Sequence, residues 1–357
     1  MAALIPPRLQ RGAALIVMIL VFALVAVLSA SVIERQQTFR IKTGNLLHWD
    51  QRYQVAIGAE ALAMQALLDD LEDDQNTGQM LDDCAHEQWA VTIPPTPYEG
   101  MLISATVQDL QARFNLNSLV KSADEGLVQD PKAVEALTRL LLELMPEGRE
   151  QQTLAHEMAD WIDSNFLVDG VQGAEDGEYR YQRVPNLPIA HESEFRAVRS
   201  FSPEMVTVPH FWGYLTALPL GALLNINTAP APVLNAWLAE ELGADVGDWI
   251  LEARSEKAFE SAEQFLGDTR FAELDVEQRE ALTERLTVRS DFFQVMIDVQ
   301  QEDASLRLVS RIQRRESGAA AVISRQVVPR LGPLEPPCNP LYNPQQTTGN
   351  ETGNPDL

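Results

Sequence analysis

The densest run of side chains able to do chemistry lies between Asp163 and Glu178, where Asp163, Asp169, Glu175, Asp176 and Glu178 share a segment with Gly170, Gly173 and Gly177. Hard carboxylate oxygens on a glycine-containing loop suit Ca²⁺, which takes a flexible shell of oxygen ligands. The spacing is not that of an EF-hand, so the residues alone leave two readings open, a calcium loop and a solvated acidic loop. Enzyme signatures are weak. His48, His86, His156, His191 and His210 are scattered singly, and there is neither a nucleophile elbow nor a glycine-rich phosphate loop. His156 and Asp160 lie one turn apart and read as a surface polar pair, not a catalytic dyad. Cys84 and Cys338 are too few for a zinc ribbon or a disulfide framework. In an oxidising compartment they could form one bridge; the alternative is two unpaired thiols.

Against 27 basic residues stand 52 acidic ones, a formal charge of -25 that repels phosphate backbones and excludes nucleic acid as an expected partner. The elements that must carry the acidic loop begin with an apolar run, Ala13 to Val32, free of charge and as long as a bilayer's hydrocarbon core is thick. Ahead of it Met1 to Gly12 forms a leader with Arg8 and Arg11, which keeps that end cytoplasmic and sends the rest to the periplasm. A secretory signal cut near Ser31 is the competing reading. The chain after Val32 speaks against it. No proline interrupts the next forty or so residues, and Ile41, Trp49, Tyr53, Ile57, Ala61, Met64 and Leu68 recur on one helix face. One long helix is expected, ending near Asp74 and Gly78.

Beyond that helix, proline-rich chain precedes a strand over Gly100 to Asp109. From Asn117 to Leu286 the pattern is helical, with helices expected at Lys132 to Met145, Gln151 to Ile162, Pro230 to Leu242 and Val276 to Leu286. Three strand-like segments come next at hairpin spacing, Asp291 to Gln300, Ser305 to Arg315 and Ala319 to Val328, and are expected to complete an antiparallel sheet on the long helix. The fold class is therefore α+β, a long N-terminal helix packed on a small antiparallel sheet with a large all-α insertion. The expected divisions are leader 1–12, membrane span 13–33, periplasmic helix 34–75, a first strand-bearing part 76–116, the insertion 117–286, closing strands 287–332 and a disordered tail 333–357. Within the insertion, NINTAPAPVLNAWL from Asn225 to Leu238 offers Thr228 as a helix cap with Pro230 in the first turn. It resembles half of a helix-hairpin-helix or SAM-like unit. The hairpin carries Glu240, Glu241, Asp245 and Asp248, so it reads as a structural or protein-binding module and not a DNA clamp.

QRGAALIVMILVFALVAVLSAS, residues 10 to 31, resembles the N-terminus of a type IV pilin or pseudopilin. NLLHWDQRYQVAIGAE at Asn45, QDLQARFNLNSLV at Gln108, WID at Trp161, GAED at Gly173 and LLNINTAPAPVL at Leu223 resemble, in the same order, the K-type minor pseudopilins of type II secretion. That resemblance implies a pilin-like fold and a non-enzymatic subunit of the inner membrane, with its C-terminal domain in the periplasm. It implies cleavage by prepilin peptidase between Gly12 and Ala13, and a tip position beside minor pseudopilins of the I and J types, where the subunit initiates assembly and caps the filament. It also implies calcium in the insertion, held among Asp163, Asp169, Glu175, Asp176 and Glu178, with Asn186 as a further oxygen ligand. The family more often has another acid shortly after WID, where this chain has Ser164 and Asn165. Val17 occupies the fifth mature position, at which most pilins carry glutamate. A carboxylate inside the bilayer is costly and is tolerated when it neutralises a neighbour's N-terminal ammonium, so a subunit with nothing above it can omit it. The second function class is a single-pass, membrane-anchored periplasmic metal-dependent hydrolase.

Overall fold

The computed structural model describes residues 10–83, 86–124, 126–145, 150–168, 172–208 and 211–335, with side chains from Ala14 onward. Helix α1 runs Gln10–Thr77 without a break. It ends where Gly78 adopts φ +72°, a left-handed conformation open to glycine, with its N–H donated to the Asp74 carbonyl at 2.8 Å. Two compact units divide the chain, 1–55 and 56–357. The described residues of the first are helix alone, and residues 14–30 are exposed throughout.

In the second unit the end of α1 lies on a five-stranded antiparallel sheet of order β1-β2-β9-β10-β11. Its strands are β1 Ile93–Tyr98, β2 Met101–Asp109, β9 Phe292–Gln301, β10 Ala304–Arg315 and β11 Ala319–Val328. Period-2 patterning explains the core strand: Phe293, Val295, Ile297 and Val299 point to one face and are fully buried. Strand β1 departs from the sequence reading, which took IPPTPY as proline-rich connection. Prolines lack the N–H that a central ladder needs, yet an edge strand can leave that side unpaired, and β1 is the edge. The buried stripe of α1 also differs. It is centred on Ala56, Glu60, Leu67, Asp70 and Leu71, whereas Ala61 is exposed. Apolar spacing skipped Glu60 and Asp70 because they are charged; both are buried by arginines from the sheet. Arg325 grips Glu60 in a fork at 2.7 to 3.0 Å, and Arg314 donates to Asp70 at 2.9 Å.

Neighbouring strands β2 and β9 bracket the insertion, since Asp109 pairs with Phe293 across the ladder and the chain from Leu110 to Asp291 lies between them. Its helices are α2 Pro131–Leu144, α3 Gln151–Ile162, α4 Ala231–Leu242, α5 Val246–Glu256, α6 Ala262–Leu266 and α7 Val276–Thr283. Leu137, Leu140, Leu141, Leu154, Met158, Val233, Leu234, Phe265 and Phe271 share one buried core. Two-stranded ladders tie the helices together: β3 Phe114–Asn115 with β6 Leu215–Thr216, β4 Val120–Ala123 with β5 Gly126–Gln129, and β7 Leu224–Asn225 with β8 Leu286–Thr287. The last of these stops α7 at Thr283, short of the expected Leu286. Gly247 is required where α5 meets α4, because a Cβ there would sit 2.6 Å from the Ala231 carbonyl oxygen.

One buried knot joins insertion to sheet. The Asp109 carboxylate, pushed up by burial, accepts from Ser290 Oγ at 2.6 Å and Thr228 Oγ1 at 2.5 Å, which pull the other way. Thr228 is therefore not the cap of α4. Pro230 holds that position without a side-chain bond, and the hydroxyl goes to the carboxylate that has no water to turn to.

Candidate functional site

The acidic loop is assembled at the C-terminal end of α3. Asp160 and Asp163 sit three residues apart on that end and are both fully buried. Helix carbonyls already make this end negative, so two carboxylates there add to an unfavourable field. The β4–β5 hairpin closes one side. Gly126 has φ +119°, and a Cβ on it would lie 2.9 Å from the Ser164 Cβ. That close approach lets Leu127 and Ser164 exchange bonds at 2.9 Å, N–H to Oγ and N–H to carbonyl. It also delivers Gln129, whose Nε2 donates to Asp160 Oδ1 at 2.5 Å. Asn165 Nδ2 donates to Asp163 Oδ2 at 3.0 Å, and Asn186 Nδ2 donates to the Asn165 carbonyl. Ser164 and Asn165 thus hold the hairpin and the loop.

Asp163, Glu175 and Asn186 are all buried, and the charges of Asp160 and Asp163 act on the Glu175 carboxyl. Neither oxygen of Glu175 accepts a hydrogen bond, nor does Asn186 Oδ1. Burial first, with the charges of Asp160, Asp163 and Asp176 acting the same way, pushes the Glu175 carboxyl up to about 7. Buried oxygens left without a donor cost about 1–3 kcal/mol each, so the arrangement fits a cation with oxygen ligands. Asp176 and Glu178 are exposed and shape the turn: Asp176 Oδ1 accepts from the Val184 N–H at 2.8 Å, and Glu178 Oε2 accepts from the Glu175 N–H at 3.0 Å. Asp169 lies outside the described residues, as do Cys84 and Cys338. Asp160 and Gln129 were missed by sequence reasoning. Asp160 is buried, not half of a surface pair with His156; its spacing from Asp163, one turn on the same helix, was the signal available.

A second carboxylate cluster was not anticipated. Oxygens of Asp70, Asp82 and Glu87 lie within 4.8 Å of one another. Here a side chain fills the cation's place: Arg314 donates to Asp82 at 2.6 and 2.7 Å and to Asp70 at 2.9 Å. At the other end of the chain Gly12, Ala13 and Val17 all fall within α1, whose early part is apolar and long enough to cross a membrane.

Sequence models described as "Type II secretion system (T2SS), protein K" match residues 112–219 and 224–289. A type II secretion system protein K from Pseudomonas aeruginosa is 32% identical over 330 residues, covering 90% of this chain and 93% of that one. The chain belongs to the type II secretion system protein K family. It is a minor pseudopilin of the secretion pseudopilus, and its α+β fold with the long leading helix is that of the family. The protein K of Aeromonas hydrophila is 29% identical, covering 89% of this chain and 97% of its own length. Among solved structures, a chain of the GspK-GspI-GspJ complex of enterotoxigenic Escherichia coli superposes with a TM-score of 0.66 at 24% identity, over 81% of this chain and 100% of the other.

Proposed function

We propose that this minor pseudopilin stands at the tip of the pseudopilus, where it starts assembly and stops further growth. The supporting observation is the position of the insertion, which occupies Leu110 to Asp291 between two hydrogen-bonded neighbours of the pilin-like sheet. A body of that size repeated at every subunit would crowd a shaft, whereas an end position leaves it room. Val17 fits the same place, because a terminal subunit has no N-terminal ammonium above it to neutralise.

In this reading prepilin peptidase removes Met1 to Gly12, Ala13 becomes the mature N-terminus, and residues 13–33 remain in the inner membrane with the remainder in the periplasm. Minor pseudopilins of the I and J types, like those crystallised with the E. coli relative, dock along the leading helix. Calcium is held by Asp163, Glu175 and Asn186 with Asp160 beside them, while Asp176, Glu178 and Asp169 complete the acidic loop. When bound, the ion supplies charge compensation at the end of α3 and joins it to the 172–186 segment; the chain's own residues position that segment through Asn165 and Asn186. Removing residues 117–286 is expected to leave membrane insertion intact and to disturb filament length or secretion. Filaments of normal length together with normal secretion from that variant would rule out the capping role.

A further inference from the structure

In a chain of formal charge -25, two short stretches run against the balance: YRYQR at residues 179–183 and RAVR at 196–199 carry four arginines and no acid. The fold lays them side by side. Tyr179 Oη accepts from the Arg199 N–H at 3.3 Å, and Gln182 Nε2 donates to the Ala197 carbonyl. Arg199 is spent on the fully buried Glu157, its Nε donating to Oε1 at 2.8 Å. Arg180, Arg183 and Arg196 are exposed, and among the described residues none of the three has an ion-pair partner. The acids nearby in the chain are engaged elsewhere. Glu178 and Asp176 accept the N–H groups of Glu175 and Val184, Glu194 accepts those of Ala190 and His191, and Glu192 pairs with Arg311.

Two of the three guanidiniums rest on rings. Arg196 lies 4.8 Å from the centre of the Trp212 ring, and Arg180 lies 5.2 Å from that of Tyr181. Stacking uses the face of a guanidinium and leaves the N–H donors in its plane available, in a fork that matches carboxylate or phosphate oxygens. Tyr181 is 87% exposed, so its ring stands clear of the protein. Arginine, tyrosine and tryptophan are the side chains that most often anchor a protein partner. The overall charge separates a protein segment from an anionic bilayer. A membrane plane would meet the repulsion of the whole acidic chain, whereas a short segment meets only charges within a Debye length, roughly 8 Å, where these arginines dominate.

We propose that this face docks an acidic segment of another protein, its carboxylates taken by Arg180, Arg183 and Arg196 and an apolar side chain between them laid on Tyr181. The proposal depends on neither the tip position nor calcium.

The test is fluorescence anisotropy of a labelled, capped peptide, alanine-glutamate-leucine-glutamate-leucine-glutamate-alanine, titrated with the full-length protein in phosphatidylcholine nanodiscs. Saturable binding is expected, weakened about threefold by Arg183→Gln or Arg196→Gln alone and about tenfold by the two together, the scale of exposed ion pairs. Lys257→Gln, which removes an exposed cation from a different stretch of the chain, should leave it unchanged. All these positions are exposed, so the variants should keep the circular dichroism of the parent. The same peptide with glutamine in place of glutamate should not bind. Absence of saturation, equal binding of the glutamine peptide, a loss with Lys257→Gln as large as with the arginine variants, or displacement of the peptide by phosphatidylglycerol vesicles or inorganic phosphate as readily as by unlabelled peptide would each overturn the proposal.

Discussion

Two carboxylate clusters in this molecule face the same electrostatic problem and solve it differently. At Asp70, Asp82 and Glu87 the compensating charge is built in, because β10 sends the almost wholly buried Arg314 between the end of α1 and the loop after it. At Asp160, Asp163 and Glu175 the amides of Gln129 and Asn165 reach the two aspartates, and both Glu175 oxygens stay without a donor. The first cluster is a joint, closed at all times. In the function proposed above calcium would supply the second cluster's positive charge, and its rigidity would then depend on the ion where that of the joint does not.

The largest effect that could break this contrast is at the joint. Arg314→Met should destabilise the fold by about 3–5 kcal/mol in urea unfolding, since it strands two buried acids. A loss below about 1 kcal/mol would mean the joint is not held by its arginine. Next comes the conditional cluster. Chelation with EGTA should lower the melting temperature, and calcium at about 100 times its Kd should restore about 2.7 kcal/mol. Glu175→Gln should reverse the pattern, raising stability in EGTA and abolishing the calcium response, as differential scanning fluorimetry would report.

A smaller effect separates the two clusters by proton uptake. Burial and the adjacent Asp70 push Glu87 up to about 10 from the ordinary carboxylate range. The folded state therefore binds a proton that the unfolded state releases, and stability is complete below the unfolded pKa and declines as pH rises toward the folded one. Between pH 8 and 9, above the values of about 7 to which Asp82 and Glu175 are raised, the slope should be negative and, with solvent screening, well under about 1.4 kcal/mol per pH unit. Glu87→Gln should flatten it in unfolding curves measured across that range; an unchanged slope would place the proton elsewhere. The smallest effect sharpens the link between joint and insertion. Thr228→Val should cost about 1 kcal/mol by removing a donor to Asp109, whereas Thr228→Ser should cost little. The helicity of α4 should be the same in both by circular dichroism.

How far the sequence reading reached depended on the range of the interaction involved. Helix α1 was legible from its apolar run and uninterrupted periodicity, α3 from its spacing, and β11 from its alternation, each to within three residues. Strand β1 was hidden because the prolines of IPPTPY mask its strand-favouring Ile93, Thr96 and Tyr98, and it earns its place by pairing with β2 as an edge. For the candidate site, the acids of 163–178 were visible as composition. Which of them are buried together was not, because the amides that gather them come from Gln129 on a hairpin and from Asn186 beyond the loop.

The sequence by itself determined what local physics can encode: a membrane-length apolar helix, the strand and helix periods, an acidic excess, and the ordered segments shared with the family. Only the tertiary structure decided the fate of the polar residues. Glu60, Asp70, Asp109 and Asp160 read as surface groups one by one, and all four are buried. A charge or hydroxyl can leave water only when a distant part of the chain arrives to replace it, as Arg325, Arg314, Ser290 and Gln129 do, and no window of neighbouring residues contains that arrival.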